Sequence, residues 1–91
     1  MVSLAKTLSA ELVSKNIRVN VLSPGPIQTP IFTRPGSAMD ASAVEHMRSL
    51  VPMGRLGTGE EIGKSVLFLA SKDSSFILGT ELIVDGGMSQ L

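Results

Sequence analysis

Apolar residues at Met1, Leu4, Ala5, Leu8 and Leu12 recur at three- and four-residue steps, while Lys6, Ser9 and Lys15 fall largely elsewhere. This spacing predicts an amphipathic helix over residues 1 to about 15. Asn16, tolerant of the left-handed conformation, is placed to end it. The period then changes. In Ile17-Arg18-Val19-Asn20-Val21-Leu22 only Arg18 and Asn20 interrupt the apolar residues, both on one side of the pleat, as in a strand of a sheet covered on both faces. The following Ser23-Pro24-Gly25-Pro26-Ile27-Gln28-Thr29-Pro30 should stop that strand, because proline has no N–H and a fixed φ while Gly25 admits positive φ. In a sheet with helical crossovers, ligands sit beyond the carboxyl ends of the strands, so this stiff loop is the candidate binding edge.

Residues 31–39, with Phe32, Pro35, Gly36 and Met39, fit no period and read as a loop. Asp40 can cap a short helix of about residues 41–51 with a loose stripe of Ala43, Val44, Met47, Leu50 and Val51. Prolines and glycines on both sides would let that helix move as a flap over the loop at 24–29, although a plain surface connection accounts for the same residues. Thr58-Gly59-Glu60-Glu61 has the spacing of a capping box and opens a helix of about 59–71 expected to bury Ile62, Val66, Leu67, Leu69 and Ala70. After Gly79, Leu82-Ile83-Val84 forms a second strand, closed by the turn Asp85-Gly86-Gly87. Two strands joined through helices imply parallel pairing by a right-handed crossover, hence an α/β sheet.

Composition narrows the chemistry. Eight basic and eight acidic residues cancel, and with no Trp, no Tyr and three Phe there is neither the charge nor the stacking surface of a nucleic-acid binder. Without cysteine there is no disulfide framework or thiolate metal site. No apolar run approaches the ~18 residues of a membrane span and no secretory signal opens the chain, so a soluble, cytoplasmic protein is expected.

Gly57-Thr58-Gly59-Glu60-Glu61-Ile62-Gly63 has glycines but the wrong spacing for a phosphate loop, no strand leading in, and two carboxylates where backbone donors are wanted. A helix cap explains it. His46, the only histidine, lacks converging ligands, so no metal site is expected. No serine has the surroundings of a hydrolase nucleophile. Asn20 is expected to pin a loop through its amide, and Asp85 to serve the turn before Gly86-Gly87.

Taken together, "SLAKTLSAEL", "IRVNVLSPGPIQTP", "PMGRLGTGEEIGKSVLFLAS" and "ILGTELIVDGG" resemble, in this order and over nearly all 91 residues, the C-terminal part of a short-chain dehydrogenase/reductase. The resemblance implies the C-terminal portion of a Rossmann-like, doubly wound parallel sheet with about three helices and two strands. Residues 1–30 would supply helix, strand and nicotinamide loop, 31–57 a substrate lid, and 58–91 a helix and the last strand. By resemblance, Pro24, Gly25, Pro26 and Ile27 pass the nicotinamide of NAD or NADP, the Ile27 backbone pairs with its carboxamide, and the Thr29 hydroxyl adds a bond. Ile31, Phe32 and Met39 would wall a small alcohol or carbonyl substrate. The family's Ser–Tyr–Lys centre is missing: there is no tyrosine, and its Tyr-x-x-x-Lys pair would fall just upstream of Met1, in a helix already running there. The 91 residues alone are therefore expected to be inactive, with no catalytic residue of their own. An NAD(P)-dependent oxidoreductase that forms a homo-oligomer is the first expectation, and a non-catalytic assembly module packing through helices 1–15 and 59–71 the second.

Overall fold

The structure, a computed structural model, describes residues 2–28 and 41–91. Helix α1 (Val2–Leu12) tightens into a 3₁₀ turn (Val13–Lys15) and ends at Asn16, whose φ of 61° is the left-handed stop expected of it. Strand β1 (Val21–Pro24) and the two-residue β2 (Ile27–Gln28) follow. Helix α2 (Ala41–Ser49), the two-residue β3 (Gly57–Thr58), helix α3 (Gly59–Ala70), a 3₁₀ turn (Lys72–Ser74) and β4 (Glu81–Val84) complete the order. This is an α/β arrangement of three helices and parallel strands, a partial Rossmann-like fold.

The expected parallel pairing is present: β1 lies beside β4 with Val21 opposite Glu81 and Pro24 opposite Val84. A second parallel pair, β2 with β3, was not anticipated and sets Ile27 opposite Gly57. The strand expected at 17–22 is displaced to Val21–Pro24, because its partner begins only at Glu81. Residues 17–20 are held by other means. The Val19 carbonyl accepts the Gly79 N–H and the Ser9 hydroxyl, each at 2.9 Å. Asn20 pins the loop before β4 as expected, donating to the Ile77 carbonyl at 3.2 Å and accepting the Thr80 N–H at 3.0 Å. Arg18 donates to the Ile77, Leu69 and Ser71 carbonyls, all at 3.2 Å, and so serves the carbonyls that α3 leaves open at its end.

Pro24 is accommodated inside β1 by the phase of the ladder. Val21 donates to the Thr80 carbonyl at 2.9 Å and Gly25 to that of Val84 at 3.0 Å. Amides alternate between the two edges of a strand, so position 24 is one whose N–H would face away from β4. Its absence costs the pair nothing.

The buried apolar residues among those described are Ala5, Val51 and Leu56. Helix α3 buries less than its stripe suggests: Val66 is 51% and Leu67 68% exposed, and Ala70 is exposed too, while Ile62 and Leu69 are half-buried. Among the described residues the sheet beneath it is two strands wide and offers the helix little surface, so part of the apolar stripe stays exposed.

Candidate functional site

Beyond the carboxyl ends of β1 and β4 the chain forms a cleft of about 380 Å³, whose lining includes Pro26, Ile27, Arg55, Gly57, Glu61 and Gly86. Pro26 and Ile27 enter it directly after the Pro24-Gly25 turn. Gly25 does not adopt positive φ, contrary to the reason anticipated for it. It is required by proximity: a Cβ there would meet the Asp85 Cβ at 2.5 Å and its Cα at 2.8 Å. The ends of β1 and β4 are thus pressed together where the cleft begins.

The Gly57 N–H donates to the Pro26 carbonyl at 3.0 Å. Because successive peptide groups of a strand face opposite edges, the N–H and C=O of Ile27 are turned away from β3. The Ile27 side chain lies over Gly57, with Cδ1 only 2.8 Å from where a Cβ would stand. Half-buried Ile27 therefore has its side chain seated and its backbone pair turned outward. One donor and one acceptor in a fixed relation are the complement of a primary amide. The chemistry of this pair fits a nicotinamide carboxamide.

On the far wall, Thr58 caps α3 in the expected box: Glu61 N–H donates to Thr58 Oγ1 at 3.1 Å, and Thr58 N–H to Glu61 Oε1 at 3.0 Å. Sequence reasoning missed the other half of this network. Arg55 grips the Glu61 carboxylate with both arms of its guanidinium, at 2.8 Å each. The Arg55 bonds, then the Thr58 N–H, hold the Glu61 carboxyl down at about 2. No periodic pattern links an arginine in a loop to a glutamate six residues on. The only available signal was the composition of "GRLGTGEE" itself.

Asp85 keeps the turn role expected of it, accepting the Ser89 hydroxyl at 2.6 Å and the Gly87 and Ser89 N–H groups at 2.9 and 3.0 Å. These bonds, the Ser89 hydroxyl foremost, lower its pKa. The turn also anchors the segment after α2, since the Met53 N–H donates to the Gly86 carbonyl at 3.1 Å. Of the residues expected at the cofactor edge, Pro24, Gly25, Pro26 and Ile27 lie together at the end of β1. Thr29 and the lid residues Ile31, Phe32 and Met39 fall outside the described residues, as does the Asp40 cap. Among the described residues no group of three or more His, Asp or Glu converges as a metal site, and no helix is long and apolar enough to cross a membrane.

Residues 1–89 match the family described as Enoyl-(Acyl carrier protein) reductase. The chain is 47% identical over 89 residues to the 3-oxoacyl-(acyl-carrier-protein) reductase of Chlamydia trachomatis, covering 98% of this chain and 34% of that one. It is 39% identical over 88 residues to the enzyme of the same name from Thermotoga maritima, covering 97% of this chain and 34% of that one. Against 3beta-hydroxysteroid dehydrogenase 1 of Eggerthella lenta the identity is 40% over 86 residues, or 94% of this chain and 32% of the relative. The chain thus spans about a third of the length of the curated relatives it matches.

Proposed function

Because this chain belongs to the short-chain dehydrogenase/reductase family, through the branch described as Enoyl-(Acyl carrier protein) reductase, we propose that it is the C-terminal portion of an NAD(P)-dependent oxidoreductase. The reaction is hydride transfer between an alcohol and a carbonyl. Residues 1–30 supply a helix, a strand and the nicotinamide loop, residues 31–57, with Ile31, Phe32 and Met39, cover the substrate, and residues 58–91 add a helix and the last strand. The observation that carries this reading is the outward-turned N–H and C=O of Ile27, just beyond the carboxyl end of a parallel strand, where α/β folds take their ligands.

The nicotinamide, when bound, supplies the hydride or accepts it. The protein's part at this edge is orientation. Ile27 N–H and C=O hold the carboxamide, Thr29 adds a hydroxyl bond, and the prolines at 24 and 26 keep the backbone between them from rearranging. Holding the carboxamide at two points, these residues would turn one face of the ring toward the substrate. Proton transfer belongs to a Ser–Tyr–Lys centre outside these residues.

Since the named relatives reduce a 3-oxoacyl group or dehydrogenate a hydroxysteroid, the test is consumption of NADH or NADPH by the protein at its natural length, offered 3-oxoacyl thioesters and oxosteroids. Turnover in the wild type with a sharp loss in Ile27→Pro, which removes the outward N–H, supports the reading. A wild type that binds neither nicotinamide cofactor overturns it. A second reading, an assembly module, is favoured by the exposed apolar residues Leu4 and Leu8 on α1 and Val66 and Leu67 on α3. A protein that is oligomeric by light scattering yet blind to both cofactors would establish it; an active homo-oligomer would reconcile the surfaces with the enzyme.

A further inference from the structure

We infer that Arg55 and Glu61 are positioning residues for the nicotinamide edge: their forked ion pair fixes β3, and β3 fixes Ile27. This rests on the role proposed for Ile27 above. The Glu61 carboxylate receives four hydrogen bonds, two from the Arg55 guanidinium at 2.8 Å and two from Thr58, its N–H at 3.0 Å and its hydroxyl at 3.2 Å. These donors come from both sides of Gly57. Arg55 Nη1 also reaches the Leu56 carbonyl at 3.2 Å, and Leu56 is buried. The stretch from Arg55 to Thr58 is thereby bound at both ends to one carboxylate and anchored between them. In its middle, Gly57 donates to Pro26 and carries the Ile27 side chain.

Capping α3 requires Thr58 and Glu61 but not Arg55. Nor is stability a sufficient reason for the fork, since exposed ion pairs contribute little. What a planar, two-armed contact supplies is orientation, fixing angle as well as distance. The neighbouring Glu60 does not compete for Arg55, being tied to Lys64 at 3.1 Å one turn along the helix. The arrangement makes the register of β2 on β3, and with it the direction of the Ile27 backbone pair, depend on a contact on the far wall of the cleft.

The test separates the nicotinamide from the rest of the cofactor. The protein at its natural length is titrated with NADH or NADPH and, in parallel, with ADP-ribose, which lacks the ring; amide exchange at Gly57 is followed without ligand. Glu61→Gln keeps a capping side chain but loses the charge, and Arg55→Lys keeps the charge but loses the fork. Each is expected to weaken dinucleotide binding roughly fivefold to tenfold, the scale of one charge-assisted hydrogen bond. ADP-ribose binding should stay unchanged, and the Gly57 amide should exchange faster. Equal losses for both ligands, or no change in either with wild-type exchange at Gly57, overturn the inference. Ile27→Pro tells the positioning role apart from the edge it serves. If it abolishes the preference for the dinucleotide while Glu61→Gln leaves that preference at its wild-type value, the positioning role is wrong and the Ile27 edge stands. If Ile27→Pro also preserves the preference, both fall.

Discussion

Gly86 lies so close to Val51 that a Cβ on the glycine would come within 2.6 Å of Val51 Cγ1. The contact joins the turn after β4 to the segment after α2, where Val51 is only 5% exposed. Gly86 also has φ +65°. Gly86→Ala must therefore enter the left-handed region and displace a buried side chain at once. Roughly 1–2 kcal/mol for the conformation and about 1–3 kcal/mol for the overpacking predict a loss on the order of 2–5 kcal/mol. A urea midpoint that stays at the wild-type value would contradict this packing.

Gly25→Ala tests the same idea without backbone strain, since its φ is not positive. The new methyl would collide with Asp85, and a loss of about 1–3 kcal/mol is expected. Gly63 is the contrasting case. It lies within α3 with nothing inside 4 Å of where a methyl group would stand, so Gly63→Ala should raise stability by about 0.5–1 kcal/mol through helix propensity. Opposite signs at the two glycines, read in one denaturation series, are the expected outcome.

Asn20→Ala removes both bonds that tie the end of the 17–20 segment to Ile77 and Thr80, leaving the half-buried Ile77 carbonyl and the exposed Thr80 amide without that partner. The expected cost is about 1–3 kcal/mol. Asn20→Asp keeps the acceptor for Thr80 but loses the donor to Ile77. It should fall between, and thermal unfolding of the three proteins would order them.

Acid should release the network around Glu61. Its carboxyl is lowered from 4.5 to about 2 in the folded protein. A depressed carboxylate contributes its stabilisation above its unfolded pKa and loses it as pH falls through the folded one, so the effect is full above about 4.5 and gone near 2. Asp85, lowered by the Ser89 hydroxyl, acts in the same direction. Unfolding midpoints measured across this window should decline more steeply for the wild type than for Glu61→Gln. Parallel profiles would show that the pair does not couple to folding.

What could be read in advance was what lies close in sequence. The helix period of residues 1–15, the Asn16 stop, the capping box at Thr58 and Glu61 and the turn at Asp85 are all set by neighbours within a few positions. The limits of β1 were not, because its start depends on where Glu81 arrives from sixty residues away. Gly25 was marked as special for the wrong reason: a crowding contact with Asp85 leaves no trace in local sequence. Exposure on α3 was misjudged since periodicity tells which residues share a face, not how much surface stands opposite. At the site, the strand-ending Pro-Gly-Pro was legible, while the Arg55 fork and the β2–β3 pair, which turn the Ile27 backbone outward, came only with the fold.

The proline within β1 has an effect beyond its own pairing. On the margin of the strand that does not meet β4, it leaves a missing rung next to the cleft mouth. A foreign backbone zipping along that margin would run out of donors there.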